Sequence, residues 1–338
     1  MSAKESIIPV FVPHVGCPNN CVFCNQRKIS GQLKPADPKE VTETIEKALK
    51  VIPEGTKVQL AFYGGSFTAI PVEQQTGLLS AAYTYIESGA LDSIRLSTRP
   101  DAIDDAILER LRRYGVKTIE LGAQSLDDEV LRRSGRGHTA EDVFKASELI
   151  KAYGFRLIIQ MMTGLPGDSK EKSVKTAEDV CSIGPDGVRI YPTVIIRDTA
   201  LYDMWKAGKY SAHSVEEAVE YCAAIVPLFE AAGIDIIRIG LNPTDDLSSG
   251  EAAGGAYHPA LGELVRSRIM LDRMRMLLKG VPEGRSVIIY GPENRISQMT
   301  GQHRQNIEKL KAEYGLESIR IIPSEDGELR VETEDRQQ

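Results

Sequence analysis

Short apolar runs alternate with amphipathic stretches along most of the chain. Runs rich in Val, Ile and Leu at Ile7–Val12, Lys57–Tyr63, Ser93–Ser97, Thr118–Gly122, Leu157–Met162 and Gly187–Pro192 predict six strands. Between them, positions 38–52, 72–88, 103–114, 139–153 and 169–183 repeat apolar residues at helical spacing. Pro38 and Pro71 stand near first turns, where a missing N–H is tolerated, and Thr139 is followed by Glu141 and Asp142, a helix-start signal. Strands alternating with helices predict βαβ units and a parallel sheet. Six repeats over about 190 residues suit an α/β fold of the partial (β/α)6, TIM-type barrel kind better than a doubly wound sheet.

Ser214–Ala232 predicts a further helix and Asp235–Gly240 a further strand. The stretch LNPTDDLSSGEAAGGAYHP is rich in Gly, Ser, Asp and Pro and marks the expected boundary. The expected organisation is a barrel over 1–240, a Gly-rich loop over 241–259 and a C-terminal α/β extension over 260–338. That extension holds a basic helix near 260–279, a strand at 286–290, a helix near 297–314 and a strand at 318–322. The last residues, RVETEDRQQ, are polar and are expected to fray.

Composition adds exclusions. Hydrophobic residues make up 42% and charged residues 26% of the 338, which is a globular balance. Lys plus Arg number 41 against 48 Asp plus Glu, a net charge of −7. A mildly acidic chain does not coat duplex nucleic acid through its bulk field, although a local basic patch remains open. No apolar run approaches the roughly 18 residues of a membrane span. The start, MSAKESIIPVFVPHVG, lacks a basic leader region, so a cytoplasmic location is expected.

Cysteine placement changes the picture most. Cys17, Cys21 and Cys24 fall within eight residues, whereas Cys181 and Cys222 stand alone in apolar helical contexts and are expected to be buried hydrophobes. The segment HVGCPNNCVFCNQ lies between the first strand and the first helix, and Pro18 and Asn19 favour a sharp turn. Three thiolates so placed suit one corner of an iron–sulfur cubane. Such clusters normally take four protein ligands, so three would leave one iron open to another chelator. A Cys3His zinc site with His14 as the fourth ligand, and unliganded thiols, stay open on these residues alone.

With Phe23 just before its last cysteine, the C-x3-C-x2-C loop resembles that of the radical SAM superfamily. Tyr63-Gly64-Gly65-Ser66-Phe67-Thr68 is similar to that family's glycine motif. Glycines at a strand end let a ligand approach the backbone. A closer resemblance is to the radical SAM domain of the Elongator catalytic subunit family. It rests on Ser97-Thr98-Arg99-Pro100-Asp101, Leu121-Gly122-Ala123-Gln124-Ser125, Arg136-Gly137-His138-Thr139, the run from Met161 to Gly167 and the run from Ile190 to Thr199. Oxygen-independent coproporphyrinogen III oxidase is a more distant likeness, sharing the cysteine spacing and the Gln124 to Arg136 separation.

The resemblance implies a 4Fe-4S cluster held by Cys17, Cys21 and Cys24, with S-adenosylmethionine (SAM) on its open iron. It further implies Phe23 beside the adenine, and Gly64, Gly65 and Ser66 at the methionine amino group. Gln124 would bind the ribose hydroxyls, with Gln160 approaching from the fifth strand. Arg136 would meet the carboxylate, and Leu165 would flank adenine. For the substrate side, His138, Arg189, Tyr191 and His258 are the candidates, His258 being either a lid residue or a helix-start residue. The same likeness implies reductive SAM cleavage to a 5′-deoxyadenosyl radical and an electron donor such as flavodoxin or ferredoxin.

Departures limit the carry-over. The Elongator subunit has a longer gap between its first two cysteines and a cysteine-rich zinc site after the barrel, whereas no cysteine follows Cys222 here. The residues after the Gly-rich loop carry no acetyl-CoA signature, so no acetyl-CoA is expected. The substrate readings are a tRNA nucleoside, with Arg266, Arg268, Arg273, Arg275 and Lys279 on phosphates, or a tetrapyrrole or other small molecule. A non-catalytic zinc- or cluster-binding module is the reading from another class, and no membrane partner is expected.

Overall fold

The computed structural model describes residues 5–12, 21–24, 37–242 and 251–334. Seven strands form one sheet in the order β1-β2-β3-β4-β5-β6-β8, every neighbouring pair parallel. They are β1 (Glu5–Val12), β2 (Lys57–Gly64), β3 (Ser93–Thr98), β4 (Val116–Gln124), β5 (Arg156–Thr163), β6 (Gly187–Pro192) and β8 (Asp235–Ile239). Helices Pro38–Leu49, Val72–Glu87, Asp105–Arg113, Ala140–Ala152 and Lys170–Ile183 connect them, since parallel neighbours need crossovers. The sheet is a curled half-barrel, as the α/β repeat implies, with β8 added as a seventh strand.

Alternation along each strand sorts residues between the two faces. Leu60, Phe62, Ile94, Leu96, Ile119, Leu121, Ile159, Met161, Val188 and Ile190 are essentially fully buried. The alternate positions Tyr63, Arg95, Glu120, Gln160 and Arg189 are polar and fall on the concave face. The helices supply Val41, Ile45, Leu78, Leu79, Leu108, Leu111, Val143, Ile150 and Val180 to the apolar layer.

Turns after the strands start helices with side-chain caps. Asp37, Asp104, Asp127, Ser169 and Thr199 each accept a backbone N–H of the following first turn. Thr139 and Asp142 form a reciprocal capping box. The carboxyl ends of the strands and the capped helix starts therefore share one rim, where ligands of parallel α/β sheets bind.

The chain divides into two compact units, 1–214 with 225–257, and 215–224 with 258–338. In the second, helix Leu261–Leu278 packs with the sheet β11-β10-β12, made of β10 (Ser286–Gly291), β11 (Ser318–Pro323) and β12 (Arg330–Glu334). Met270, Leu271, Met274, Leu278, Val287, Ile289, Ile307 and Leu310 form its core.

Several expectations change. The helix expected near 297–314 is broken into Ile296–Thr300 and Gln305–Tyr314 around Gly301, whose φ is +74°. Of the terminal segment expected to fray, Arg330–Glu334 instead forms β12, pairing antiparallel with β10, with the Arg330 guanidinium 4.5 Å from the Tyr290 ring centroid, and residues 335–338 lie outside the described residues. Part of the expected Gly-rich loop is a strand, β9 (Ala252–Gly255), which pairs with the equally unexpected β7 (Val194–Ile196). Residues 243–250 of that loop lie outside the described residues. Cys222 is fully buried, whereas Cys181 is only half-buried. Among the described residues no helix is long and apolar enough to cross a membrane.

Candidate active site

Four strands bring one rung of residues side by side. Gly122 of β4 pairs with Gln160 of β5, Gln160 with Arg189 of β6, and Arg189 with Arg238 of β8. Gly122 leaves the gap in this rung. A Cβ there would stand 3.0 Å from Gln124 Nε2 and 3.7 Å from an Arg136 terminal nitrogen, so both side chains fold over the glycine.

The outer layer of the site sits on that gap. Gln124 ends β4 with φ +69°, a left-handed conformation that L residues adopt only where surroundings impose it. A register shift against β5 falls at the same place. Its buried Oε1 accepts a hydrogen bond of 3.1 Å from Gln160 Nε2. Arg136 donates through Nη2 to Gly122 O at 2.7 Å and through Nη1 to Cys21 Sγ at 3.3 Å. Its Nε is buried with no hydrogen-bond partner. Helix Asp128–Arg133 ends with Arg132 and Arg133 exposed, and Arg133 pairs with Glu129, so only Arg136 of the three arginines turns inward.

Backbone bonds fix the cysteine segment to this layer. Val22 N donates to Ser134 O at 3.0 Å, Leu201 N donates to Val22 O at 2.7 Å, and Cys24 N closes a turn on Cys21 O at 3.0 Å. Cys21 is buried, and Phe23 and Cys24 are half-buried. Among the described residues, no three His, Cys, Asp or Glu side chains converge as a metal site. Cys17 and His14 lie outside the described residues.

His138 stands behind Gln124. Its Nε2 contacts Ala123 O at 3.1 Å, and Nδ1 is buried without a hydrogen-bond partner. Burial, reinforced by the Arg136 charge, pushes its pKa down to about 4. The ring is therefore neutral near pH 7, with Nε2–H donating to Ala123 O and Nδ1 left as an acceptor.

An inner layer lies on the same concave face. The buried Glu120 carboxylate accepts from Tyr63 OH at 3.1 Å and from Arg189 Nη2 at 3.2 Å. Arg189 Nε lies 2.9 Å from its other oxygen, and Arg95 Nε lies 3.5 Å from Oε1. Tyr63 and Arg189 come within 3.4 Å although β2 and β6 are four strands apart. In a flat sheet that separation is about 19 Å, so the contact requires the curl. Burial raises the Tyr63 hydroxyl to about 12, helped by Glu120. Burial works against the Arg189 charge, but Glu120, Tyr191 and Tyr63 together outweigh it and hold the guanidinium protonated. Burial also raises the Tyr191 hydroxyl, against the lowering effect of the Arg189 charge beside it.

Elsewhere on the rim, Gly64 has φ +101°, and a Cβ there would lie 2.9 Å from Val12 O. Gly65 N donates to Val12 O at 2.9 Å, tying this turn to the end of β1. Ser66 caps the 3-10 turn Phe67–Ala69 without a side-chain bond. Leu165 is buried in the turn after β5, where Asp168 Oδ2 accepts Gly164 N at 2.7 Å and Asp168 N donates to Leu165 O at 2.9 Å. His258 falls in the second unit. Its Nδ1 accepts Ala260 N at 3.1 Å where helix Leu261–Leu278 begins, a helix-start role.

Thus Cys21 is joined to Arg136 and Gln124 to Gln160, the two pairs meeting over Gly122, with Arg189 in the rung of Gln160 and Tyr191 one same-face step nearer the rim. Tyr63, Arg95, Glu120 and Arg238 were missed as a set. The signal was one polar residue at the middle of each of several apolar strands, SIRLST, VKTIELGAQ and DIIRI among them.

The radical SAM superfamily model matches residues 11–180 and the Radical SAM C-terminal domain model matches residues 185–270. The chain belongs to the radical SAM superfamily. It is an enzyme of that superfamily, related to proteins that modify tRNA. The tRNA uridine(34) acetyltransferase of Methanocaldococcus infernus is 29% identical over 265 residues, covering 66% of this chain and 50% of that protein. Elongator complex protein 3 of Homo sapiens is 31% identical over 192 residues, covering 51% of this chain and 35% of that protein. The chain spans half or less of the length of these relatives. The structure of archaeal Methanocaldococcus infernus Elp3 lacking its N-terminus superposes with a TM-score of 0.63 at 25% identity, covering 81% of this chain and 65% of that one. Escherichia coli coproporphyrinogen III oxidase shares the fold, with a TM-score of 0.50 at 20% identity over 68% of this chain and 53% of that one.

Proposed function

We propose that this radical SAM enzyme binds a 4Fe-4S cluster through Cys17, Cys21 and Cys24 and cleaves SAM to abstract hydrogen from its substrate. The observation that carries the reading is Arg136. This one side chain touches Cys21 sulfur, spans the glycine gap of β4 and keeps a buried Nε free beside the Gln124–Gln160 pair. A buried guanidinium donor without a partner is costly unless a ligand meets it. The donors fit the expected groups. Thiolates are the usual ligands of iron–sulfur clusters, and a guanidinium fork suits a carboxylate.

When bound, the cluster and SAM supply reductive cleavage of a sulfonium to a carbon radical. The chain's own residues bind, orient and shield. Arg136 meets the methionine carboxylate, and the Gly64-Gly65-Ser66 turn presents close backbone to the amino group. Gln124, held by Gln160, offers its amide to the ribose, while Phe23 and Leu165 border the adenine. Neutral His138 offers Nδ1 as an acceptor behind them. Tyr191 and Arg189 line the wall where a substrate C–H must be held dry.

A tRNA nucleoside is the favoured substrate, because the relatives that match are named for tRNA uridine(34) chemistry. The pairing on helix Leu261–Leu278 counts against phosphate binding there. Arg268 bonds Asp272, and Arg275 bonds both Asp272 and Glu313. A small-molecule substrate is the second reading, favoured by this neutralisation and by the net charge of −7. A reductant such as flavodoxin or ferredoxin would supply the electron. The test is anaerobic reconstitution, iron analysis and electron paramagnetic resonance of the reduced protein. About four irons per chain, with a spectrum that changes on adding SAM, support an open iron; stoichiometric zinc rejects it.

A further inference from the structure

We infer that the inner layer of the barrel is an oxyanion subsite, so that the substrate of this enzyme carries a carboxylate or phosphate group that Arg95 receives inside the barrel. The inference rests on the reading above for the reaction, but not for the site itself. Its basis is an imbalance. Among the described residues, the concave face brings two buried guanidiniums, Arg95 and Arg189, to the one carboxylate of Glu120, with the half-exposed Arg238 on the strand next to Arg189. Arg189 takes that carboxylate at short range from both Nε and Nη2. Arg238 pairs with Arg189 across the β6–β8 ladder, and its charge reaches Tyr191.

Arg95 is left over. Its side chain is 7% exposed, its Nε, like that of Arg189, has no hydrogen-bond partner, and its contact with Glu120 is a loose 3.5 Å against 2.9 Å for Arg189. Arg95 pairs across the ladders with Ala61 on one side and Thr118 on the other, two small residues. Buried guanidiniums are kept where they are paired, and an excess of positive charge in a low-dielectric lumen is relieved by an anion. The planar fork matches an oxyanion through two parallel bonds. Arg95 is level with Thr118, two same-face steps along β4 from Gly122, so an anionic group held by Arg95 would place the rest of a substrate toward Gln124 and Arg136.

The test titrates malonate, inorganic phosphate and neutral malonamide calorimetrically into the reconstituted protein at constant ionic strength, with SAM binding measured on the same samples. Malonate reports a carboxylate source and phosphate a phosphate source. One saturable site per chain for at least one anion, and none for malonamide, is expected. Arg95→Gln should weaken that site by at least about tenfold, and Arg95→Lys, which keeps the charge but not the fork, by about threefold or more. Surface Arg320→Gln should leave it unchanged. Absence of anion-selective binding in the unaltered protein overturns the inference, as does equal affinity in Arg95→Lys if Arg95→Gln does not fold. No anion binding in the unaltered protein, with SAM binding present, refutes only this subsite. Anion binding retained with no SAM binding refutes the proposed reaction and leaves the subsite standing.

Discussion

Replacing Glu120 with Gln tests how the inner layer is held together. The change is nearly isosteric, so it removes charge rather than volume. In the native protein this carboxylate faces Arg189 at 2.9 and 3.2 Å, Tyr63 at 3.1 Å and Arg95 at 3.5 Å. A glutamine keeps one oxygen for Tyr63 and Arg189 Nη2, but turns its NH2 toward Arg189 Nε, placing donor against donor. It also leaves the guanidiniums without a counter-charge. Breaking a buried pair from one side costs about 3–5 kcal/mol, and the retained oxygen places this change at the lower end, about 3 kcal/mol. In a unit of this size each kcal/mol lowers Tm by about 2–4 °C, so a fall of about 6–12 °C is expected. Thermal unfolding of Glu120→Gln, Arg189→Met and the double variant, followed by near-UV circular dichroism, measures it. The double variant should recover about 1–3 kcal/mol relative to the sum of the singles. A fall below about 2 °C, or strict additivity, would refute the claim that one carboxylate neutralises this layer.

Other expectations follow from the outer layer. Gln124→Ala and Arg136→Met should each weaken SAM binding by about 1.5–3 kcal/mol, roughly 10- to 150-fold; unchanged SAM affinity in both would sink the assignment. Gly122→Ala, whose Cβ would press within 3.0 Å of Gln124 Nε2, should displace that flexible amide and weaken SAM by about 2- to 10-fold with little change in Tm. Unaltered affinity would show that Gln124 does not read the cofactor. His138 titrates at about 4 when folded, below its ordinary value of 6.5. Its neutral burial stabilises fully above about pH 6.5, and up to about 3 kcal/mol is lost as pH falls toward 4. Denaturant unfolding between pH 7 and 4.5 should show a shallower loss in His138→Gln than in the native chain, and parallel profiles would contradict this.

The strand–helix rhythm was legible because each barrel strand is an apolar run and several helices carry a start signal such as Pro38, Pro71 or Thr139. The three cysteines at 17, 21 and 24 stood out in the sequence as a rare pattern; the structure sets Cys21 against Arg136, while Cys17 lies outside the described residues. The inner layer was less legible. Arg95 and Glu120 look like ordinary surface charges until strand pairing sets them side by side and the curl of the sheet brings Glu120 to Arg189, two strands away. β7 and β9 escaped notice because three- and four-residue strands carry too little alternation to register. In Ala252–Gly255 the residues are small, and their pairing with Val194–Ile196 is fixed by the partner strand. The terminal Arg330–Glu334 segment read as frayed because its stabilising contacts, to Tyr290 and to Arg320, come from distant strands. The arginines of helix Leu261–Leu278 read as a basic face because Glu313, which binds Arg275, lies 38 residues away in sequence.

The most direct test of the account is the appearance of 5′-deoxyadenosine and methionine when the anaerobically reconstituted protein is mixed with SAM and dithionite. Both products should form in equal amounts with the native chain and with Cys181→Ala. They should vanish with Cys17→Ala, Cys21→Ala or Cys24→Ala. A native chain that binds four irons yet releases neither product, or one that releases both after any of the three cysteines is replaced, would contradict the account.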